Sequence, residues 1–339
     1  HEKTNGDFSK KIQMITGASG GMIGSEYFRQ VLLDSTACQV TDPAYLDTIS
    51  LDLLNRVSAS MVTNDMFLKF RKADYENKAY VMDRGFAFEQ HLIKNLGKDM
   101  DQPLSYFSEL EKSAKIPQMI FAPTVVDDGR RMIIASQPLS FLTKDNKQGS
   151  SENIEYGKLL KDQGALNTRM ASVLRMNATF PYVLPMVTLP TNPATTIMDA
   201  GLRDNFGGKL SMEYIMELRS WIRENTSGVT IVQIRDIKKS TIGGVEESPS
   251  LIKKFVQPVG NMYENLFHTQ DYDQQQMFGL ISDQIDFPLH IVTFNLLDKE
   301  SEMSLSWRLT ENEKKNVLKS FKKTTNQTEF RKLVRLISN

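Results

Sequence analysis

The stretch that decides the fold is "MITGASGGMIG", Met14 to Gly24, in which a serine stands among small residues between two hydrophobic runs. The run that leads into it, residues 11–16, has the short apolar pattern of a strand, and residues 20–35 repeat apolar side chains at helical spacing. Residues 17–21 also fit G-x-S-x-G, a motif that is weak by itself. In this context it predicts a strand, a sharp turn that carries the serine, and a helix.

Ser19 at the centre of the turn has the setting of a nucleophile elbow. Such an elbow strains the serine backbone and brings strand and helix together, so we expect Gly17 and Gly21 to be required for their small size. The helix that follows would direct free N–H groups at the site, with Gly20 N–H as the donor to a developing oxyanion. The rival interpretation is a glycine loop that binds phosphate. The missing G-K-[ST] ending excludes a P-loop, and G-x-G-x-x-G does not fit from Gly17.

Asp199 is the second candidate for a catalytic residue, because it follows an apolar run, residues 196–198, and precedes two small residues. A carboxylate at the end of a strand can act as a general base if desolvation raises its pKa. The alternative is a plain turn whose aspartate bonds to nearby backbone. A third possibility is a Ser–Asp–His triad with His268 as the base. His290, in contrast, lies in an apolar run typical of a buried strand.

Composition narrows the classes of protein and site that the chain can form. Its 339 residues contain 41 Lys plus Arg and 41 Asp plus Glu, and this balance gives no global field that would attract nucleic acid. Cys38 is the single cysteine, which excludes an internal disulfide and a multi-cysteine zinc site. The four histidines are scattered without ligand spacing, so we predict no metal and no cofactor. No run approaches the roughly 18 apolar residues of a membrane-spanning helix.

The rest of the chain reads as strands that alternate with helices, which predicts an α/β protein with a mainly parallel central sheet. We expect one domain, in which residues 211–339 form a C-terminal, mostly helical part. The further local predictions are a helix from Pro43 to Phe70 that is a lid or part of the core, a helix over 84–97 closed by Gly97, a hairpin turn at Asp127–Gly129, a surface loop over 145–157, a helix over 165–178, a helix with Ser211 as N-cap, a strand over 228–237, and a capping box of Thr310 and Glu313.

Three segments together resemble the patatin-like phospholipase family. "GASGG" with Ser19 is similar to the family's nucleophile motif, and "MDAG" with Asp199, followed by Asn205, is similar to its aspartate segment. Between them, residues 176–190 resemble the small-residue, proline-rich stretch that precedes the aspartate. The resemblance covers roughly residues 11–210 in the family's order. It implies a three-layer α/β/α fold and a Ser–Asp dyad hydrolase with no catalytic histidine.

The activity implied by the resemblance is hydrolysis of acyl ester bonds in lipids. Ser19 would attack the ester carbonyl, and Asp199 would accept the proton and later activate water to release the acyl-serine. The implied partners are a lipid ester substrate and a membrane surface that the protein touches peripherally, with no nucleic acid. The expected location is cytoplasmic or peripheral to a membrane. The alternative from another class of protein is a non-catalytic lipid-binding or scaffold domain.

The chain also departs from the family pattern in three places. The family has a glycine-rich loop with an arginine upstream of the serine, whereas only 18 residues precede Ser19 and "HEKTNGDFSK" is no such loop. Because the first residue is His1, we expect the chain to be incomplete at its N-terminus. Ala200 replaces the usual glycine after the aspartate, and Gly207 stands where a proline is common. These two changes predict a somewhat different local geometry around Asp199.

Overall fold

A computed structural model describes residues 7–33, 43–53, 57, 72–75, 78–81, 83–145, 149–179, 184–235, 251–296 and 309–338. The strands are β1 (Met14–Thr16), β2 (Lys72–Tyr75), β3 (Lys78–Val81), β4 (Gln118–Ile120), β5 (Thr124–Val125), β6 (Arg131–Ile133), β7 (Asn153–Glu155), β8 (Val187–Leu189), β9 (Thr195–Met198), β10 (Val229–Arg235) and β11 (Leu289–Asn295). The helices are α1 (Asp7–Lys11), α2 (Ser19–Leu33), α3 (Pro43–Ile49), α4 (Arg84–Leu96), α5 (Leu104–Lys112), α6 (Tyr156–Leu159), α7 (Met170–Asn177), α8 (Gly201–Asp204), α9 (Gly208–Glu217), α10 (Arg219–Asn225), α11 (Leu251–Ser282), α12 (Glu311–Phe321) and α13 (Thr324–Ser338).

The central sheet is mixed, and the protein is of the mixed α/β class. Five strands pair in the order β7-β6-β5-β9-β8, and only the β6–β7 pairing is parallel. The β1–β4 pair is parallel and joins this sheet through Phe121, which exchanges two backbone hydrogen bonds of 2.9 Å with Ile134. The prediction of a mainly parallel sheet is therefore wrong. The physical reason is that β5–β6 and β8–β9 are joined by short connections, which permit only antiparallel pairing.

Several local predictions are confirmed. The hairpin turn forms between β5 and β6, with Gly129 at φ +72° and Arg130 N–H donating to Asp128 Oδ1 over 3.0 Å. The strand after residue 228 is β10, and α4 ends at Gly97 with φ +105°. The capping box is complete, because Thr310 and Glu313 each bond to the backbone of the other. These features depend on residues only a few positions apart, which local sequence specifies.

Other local predictions are wrong in their bounds. The strand before Ser19 begins only at Met14, because α1 occupies residues up to Lys11. The predicted loop over 145–157 contains β7, and the predicted helix over 165–178 begins at Met170, after a 3-10 turn over Ala165–Asn167. Ser211 lies inside α9, whose N-cap is Gly207, since the Asp204 carboxylate accepts from Leu210 N–H at 2.9 Å and caps the helix earlier. In the predicted helix Pro43–Phe70, α3 ends at Ile49, and most of the remainder lies outside the described residues.

The main hydrophobic core lies between the central sheet and helices α2, α4, α5 and α7. Its members are fully or almost fully buried and include Met22, Phe88, Leu92, Phe107, Met119, Met132, Val173 and Ile197. This packing fixes α2 and α7 against the sheet, and both helices reach the site described below. Among the described residues, no helix is both long and apolar enough for a bilayer crossing.

The C-terminal region packs around a second pair of strands. β10 and β11 are parallel over seven residue pairs, and α9, α10 and α11 bury apolar side chains against them. α13 covers the outer edge of β11, where Asn326 Oδ1 accepts from Asn295 N–H at 3.0 Å and Glu329 accepts from Thr293 N–H at 3.2 Å. The helix thereby satisfies backbone groups that an exposed edge strand would leave unpaired.

Candidate active site

Ser19 stands at the junction between β1 and α2 in a strained backbone conformation. Its φ is +49°, in the left-handed region, which costs a residue other than glycine on the order of 1–3 kcal/mol. Its side chain is half-buried, while Gly20 and Gly21 beside it are exposed. Gly21 N–H is engaged by Ala18 O at 3.1 Å, whereas Gly20 N–H lies in the first turn, where helical N–H groups have no partner within the helix. The backbone that directly follows the serine is therefore open to solvent.

The close approach of backbones at this turn is made by Gly207. A Cβ on Gly207, whose φ is +64°, would lie 2.7 Å from both Gly17 N and the Thr16 carbonyl carbon. Thr16 Oγ1 also donates to Gly207 O over 2.7 Å. At Gly17 a Cβ would make only an ordinary contact at 3.4 Å, and at Gly21 it would meet none of the described residues within 4 Å. The expected steric need for glycine at 17 and 21 is therefore wrong, and it applies at 207 instead.

A buried ionic cluster holds α2 in place behind the serine. The fully buried Arg29 donates to Glu26 Oε2 over 2.8 Å, to Pro117 O over 3.2 Å and to Glu111. Burial raises the pKa of Glu26 to about 7, although the adjacent Arg29 charge opposes that rise. Because Glu111 belongs to α5 and Pro117 directly precedes β4, the cluster ties α2, the helix that begins at Ser19, to the central sheet.

Asp199 directly follows β9, as predicted, and its carboxyl group is held on one side only. The residue is 4% exposed. Its Oδ1 accepts from Gly201 N–H at 2.7 Å, and its backbone O accepts from the Thr124 hydroxyl at 2.9 Å. Among the described residues its Oδ2 is buried with no hydrogen-bond partner. A buried, half-satisfied carboxylate is expensive to desolvate and is available to accept a proton.

Ser19 contributes to the electrostatics of Asp199. Burial raises the pKa of Asp199 to about 6, while hydrogen bonding from Gly201 N–H and from the Ser19 hydroxyl acts in the opposite direction. The hydroxyl is thus close enough to favour the charged carboxylate, yet Oδ2 makes no hydrogen bond of good geometry. Two residues 180 positions apart in the sequence meet here.

The structure does not bring His268 to this pair. His268 lies on α11, two residues before Gln270. Gln270 faces α8, since its Oε1 accepts from Asn205 N–H at 2.8 Å and its Nε2 donates to Gly201 O over 3.0 Å. Residues two apart on a helix point in nearly opposite directions, so His268 faces away from the Asp199 segment. His290 lies in β11, half-buried, in the strand that its sequence predicted.

Asn177 and Gln270 are contacts of the site that the sequence did not indicate. Asn177 is fully buried at the end of α7 and bonds to Gly17 O over 3.3 Å through Nδ2. Gln270 holds the backbone of residues 201–205 from α11. Their partners lie 160 and about 65 residues away, so no local pattern could identify either residue. The one signal was that Asn177 falls within the 176–190 stretch already singled out.

Two large cavities lie elsewhere. One of about 730 Å³ is lined by residues of β10, β11, α11 and α13, including Arg235, Thr293 and Thr328. The other, of about 580 Å³, is lined by residues around β7, including Asn153 and Lys158. Neither is lined by Ser19 or Asp199. In the part of the chain that the structure describes, no three His, Cys, Asp or Glu side chains are grouped to hold a metal ion.

Comparison of this chain with protein-family models and with curated proteins gives no indication of its function. Neither the protein-family models nor the curated proteins include a match to it. Function is therefore inferred from the residues themselves and from their arrangement around Ser19.

Proposed function

We propose that this protein is a lipid acyl hydrolase of the patatin-like type, with Ser19 as nucleophile and Asp199 as its base. One observation carries the proposal: a serine strained at φ +49° on a strand–helix turn faces a buried carboxylate whose pKa is raised to about 6. A three-layer α/β/α arrangement in a single domain over residues 1–339 belongs to the same proposal. The mixed α/β element order and the packing of helices on the sheet support it.

The first half of the reaction forms an acyl-serine. Ser19 Oγ attacks the ester carbonyl while Asp199 accepts the hydroxyl proton. A base with a pKa of about 6 is ionised at neutral pH and binds a proton more strongly than an ordinary aspartate does. When the tetrahedral intermediate collapses, the bond to the alcohol oxygen breaks, and Asp199 returns the proton to that oxygen. The lipid alcohol leaves, and the acyl group stays on Ser19.

The second half releases the acyl group with water. Asp199 accepts a proton from a water molecule, and the resulting hydroxide attacks the acyl-serine carbonyl. The bond to Ser19 Oγ then breaks, the oxygen regains the proton from Asp199, and a fatty acid leaves. In both halves Gly20 N–H and the positive end of α2 stabilise the oxyanion. Loss of one such donor typically costs about 10²–10³ in rate.

The substrate class in this proposal is a lipid ester at an interface, with peripheral membrane contact. The exposed backbone of Gly20 and Gly21 beside the half-buried Ser19 leaves a path by which an ester carbonyl can approach. A non-catalytic lipid-binding or scaffold domain is the competing function. It differs in one measurable respect, since it would bind lipid without forming a covalent acyl-serine.

The test compares S19A, D199N and H268A with S25A, using fluorophosphonate labelling and release of fatty acid from phospholipid vesicles and from a soluble ester. Ser25 is a matched control, because it lies on the same helix and, among the described residues, its hydroxyl bonds to Gly21 O alone, at 2.8 Å. We expect wild type, S25A and H268A to be labelled and active, S19A to be unlabelled, and D199N to react at least about 100-fold more slowly.

Three results would contradict the proposal in different ways. Labelling or turnover that persists in S19A would show that Ser19 is not the nucleophile. Vesicle binding by wild type without labelling or turnover favours the scaffold domain. Loss of activity in H268A, with the fold intact by circular dichroism, favours a Ser–Asp–His triad.

A further inference from the structure

Asn177 is a buried amide whose donor and acceptor are both used by backbone groups of other segments. Its side chain is 0% exposed. Nδ2 donates to Gly17 O over 3.3 Å, and Oδ1 accepts from Ala122 N–H at 3.2 Å. Its own backbone O accepts from Ala200 N–H at 3.3 Å. One residue therefore binds three stretches of chain that are far apart in sequence.

Two of those stretches carry the proposed dyad. Gly17 stands two residues before Ser19, and Ala200 directly follows Asp199. The same turn adds a second bond to the aspartate segment, because Thr179 O accepts from Asp199 N–H at 3.2 Å. The third stretch, at Ala122, joins β4 to β5 and belongs to the central sheet. The end of α7 thus holds both halves of the site against one rigid support.

We infer that Asn177 is a positioning residue that sets the Ser19 turn and the Asp199 segment at their working separation. The inference rests on the proposed function, because it assigns a role in bringing that nucleophile to that base. Asn177 touches no reacting atom and takes no part in proton transfer. Its side chain acts on Gly17 and Ala122, and its backbone carbonyl acts on Ala200. Substitution removes the side-chain contacts and keeps the backbone contact, so the Asn177 variants test the hold on the Ser19 turn.

An amide satisfies both of the side-chain partners at this position. Only a side chain that donates to one carbonyl and accepts from one N–H can hold Gly17 O and Ala122 N–H together. Aspartate would keep the acceptor but set a carboxylate oxygen against Gly17 O, and alanine would leave both backbone groups buried without a partner. Misplacement of a reacting group by about 1 Å can cost about 100-fold in rate, so a small shift of Gly17 is enough.

The experiment measures kcat and KM on a soluble ester, the rate of fluorophosphonate labelling, and the melting temperature of N177A and N177D. Asn326 provides the matched control, N326A. It is also a buried asparagine, 1% exposed, and its amide bonds to Asn295 O at 2.8 Å, to Ser320 O at 2.8 Å and to Asn295 N–H at 3.0 Å. Those partners belong to β11 and to the end of α12, and none belongs to the Ser19 or Asp199 segments.

We expect both Asn177 variants to lose about 30- to 100-fold in kcat and in labelling rate, with KM changed less than about twofold. N326A is expected to lower the melting temperature by about as much as the Asn177 variants do, while its kcat stays within about twofold of that of wild type. If N177A does not fold, N177S is the milder variant, because its hydroxyl keeps a donor. Its kcat is then expected to lie between that of wild type and that of N177D.

Kinetic outcomes separate this inference from the proposed function. An active wild type whose N177A and N177D variants keep kcat overturns the inference and leaves the Ser–Asp hydrolase standing. Equal losses of kcat in N177A and N326A overturn it as well, since they would report general destabilisation. A wild type that neither labels nor turns over ester overturns both.

Discussion

At the scale of single residues, burial of the charged Asp199 carboxylate lowers the free energy of unfolding. Its pKa is 3.8 in an ordinary setting and about 6 in the fold, because burial disfavours the charge. Below about pH 3.8 the group is protonated in both folded and unfolded chains, so it has no effect on the difference between them. As pH rises through the window from 3.8 to about 6, the unfolded chain loses its proton first, and the folded state becomes relatively less stable. Above pH 6 the whole penalty is present.

D199N is therefore expected to be more stable than wild type at pH 7.5, by about 1–3 kcal/mol, and equally stable near pH 3.5. Under the proposed mechanism, in which Asp199 is the base, the same titration predicts that kcat/KM of wild type falls about tenfold per pH unit below pH 6. Urea unfolding and a pH–rate profile measure the two effects. D128N is the control. The pKa of this exposed aspartate is lowered, so we expect that the substitution does not raise the free energy of unfolding. A D199N variant that is less stable than wild type at every pH would contradict the account.

At the scale of secondary-structure elements, the end of β1 and the start of α9 pack backbone against backbone beside the candidate site. Gly207 lies directly on the Thr16–Gly17 peptide, in a left-handed conformation that a side chain strains. We expect G207A to lose about 2–5 kcal/mol of unfolding free energy, from clash and strain together. G24A is the matched control, because Gly24 lies in α2 with no described atom within 4 Å of its Cβ position.

G24A is expected to be neutral or up to about 1 kcal/mol more stable than wild type, since alanine favours helix over glycine. Chemical unfolding of both variants provides the measurement. Equal effects of the two substitutions would show that the crowding at Gly207 relaxes without cost.

The elements that sequence predicted correctly are those whose signals are local. α2, the β5–β6 hairpin and the capping box of α12 each depend on residues within a few positions of one another. β7 was not predicted, because it is only three residues long in a polar stretch and its partner β6 lies about 20 residues earlier. The mainly parallel pairing predicted for the central sheet was wrong because β8 and β9 form a second hairpin, whose connection carries the turn-forming pair Asn192–Pro193.

The same distinction separates the parts of the candidate site. Ser19 and Asp199 could be named from the sequence because each stands at the end of a strand with small neighbours. Asn177 and Gln270 could not, because a hydrogen bond between a side chain and a distant backbone group leaves no periodic pattern. Gly207 was noticed only as a departure from a family pattern, and its steric reason is a contact with residues 190 positions earlier.

At the scale of the whole molecule, the site is assembled from parts that the core and the C-terminal region hold together. α2 and α7 reach it from the main core, and α11 reaches it from the C-terminal region. Gln270 makes the link, with hydrogen bonds of 2.8 Å from Asn205 N–H and of 3.0 Å to each of Gly201 O and Leu202 O. Arg235 of β10 adds a second, with its guanidinium 4.5 Å from the Phe206 ring centre and an ion pair of 2.7 Å to Asp271.

This linkage predicts that the segment which carries Asp199 loosens when Gln270 is removed. In Q270A the Asn205 N–H and two carbonyls lose their partner, which lowers the local opening free energy by about 1–3 kcal/mol. Amide hydrogen exchange in residues 199–207 is then expected to speed up about 5- to 100-fold. Q275A is the matched control, since Gln275 bonds to Asp271 within the same helix, over 3.1 Å. Its exchange over 199–207 is expected to equal that of wild type. Equal exchange rates in Q270A and wild type would mean that α8 is held by the main core alone, and that α11 packs beside the site without supporting it.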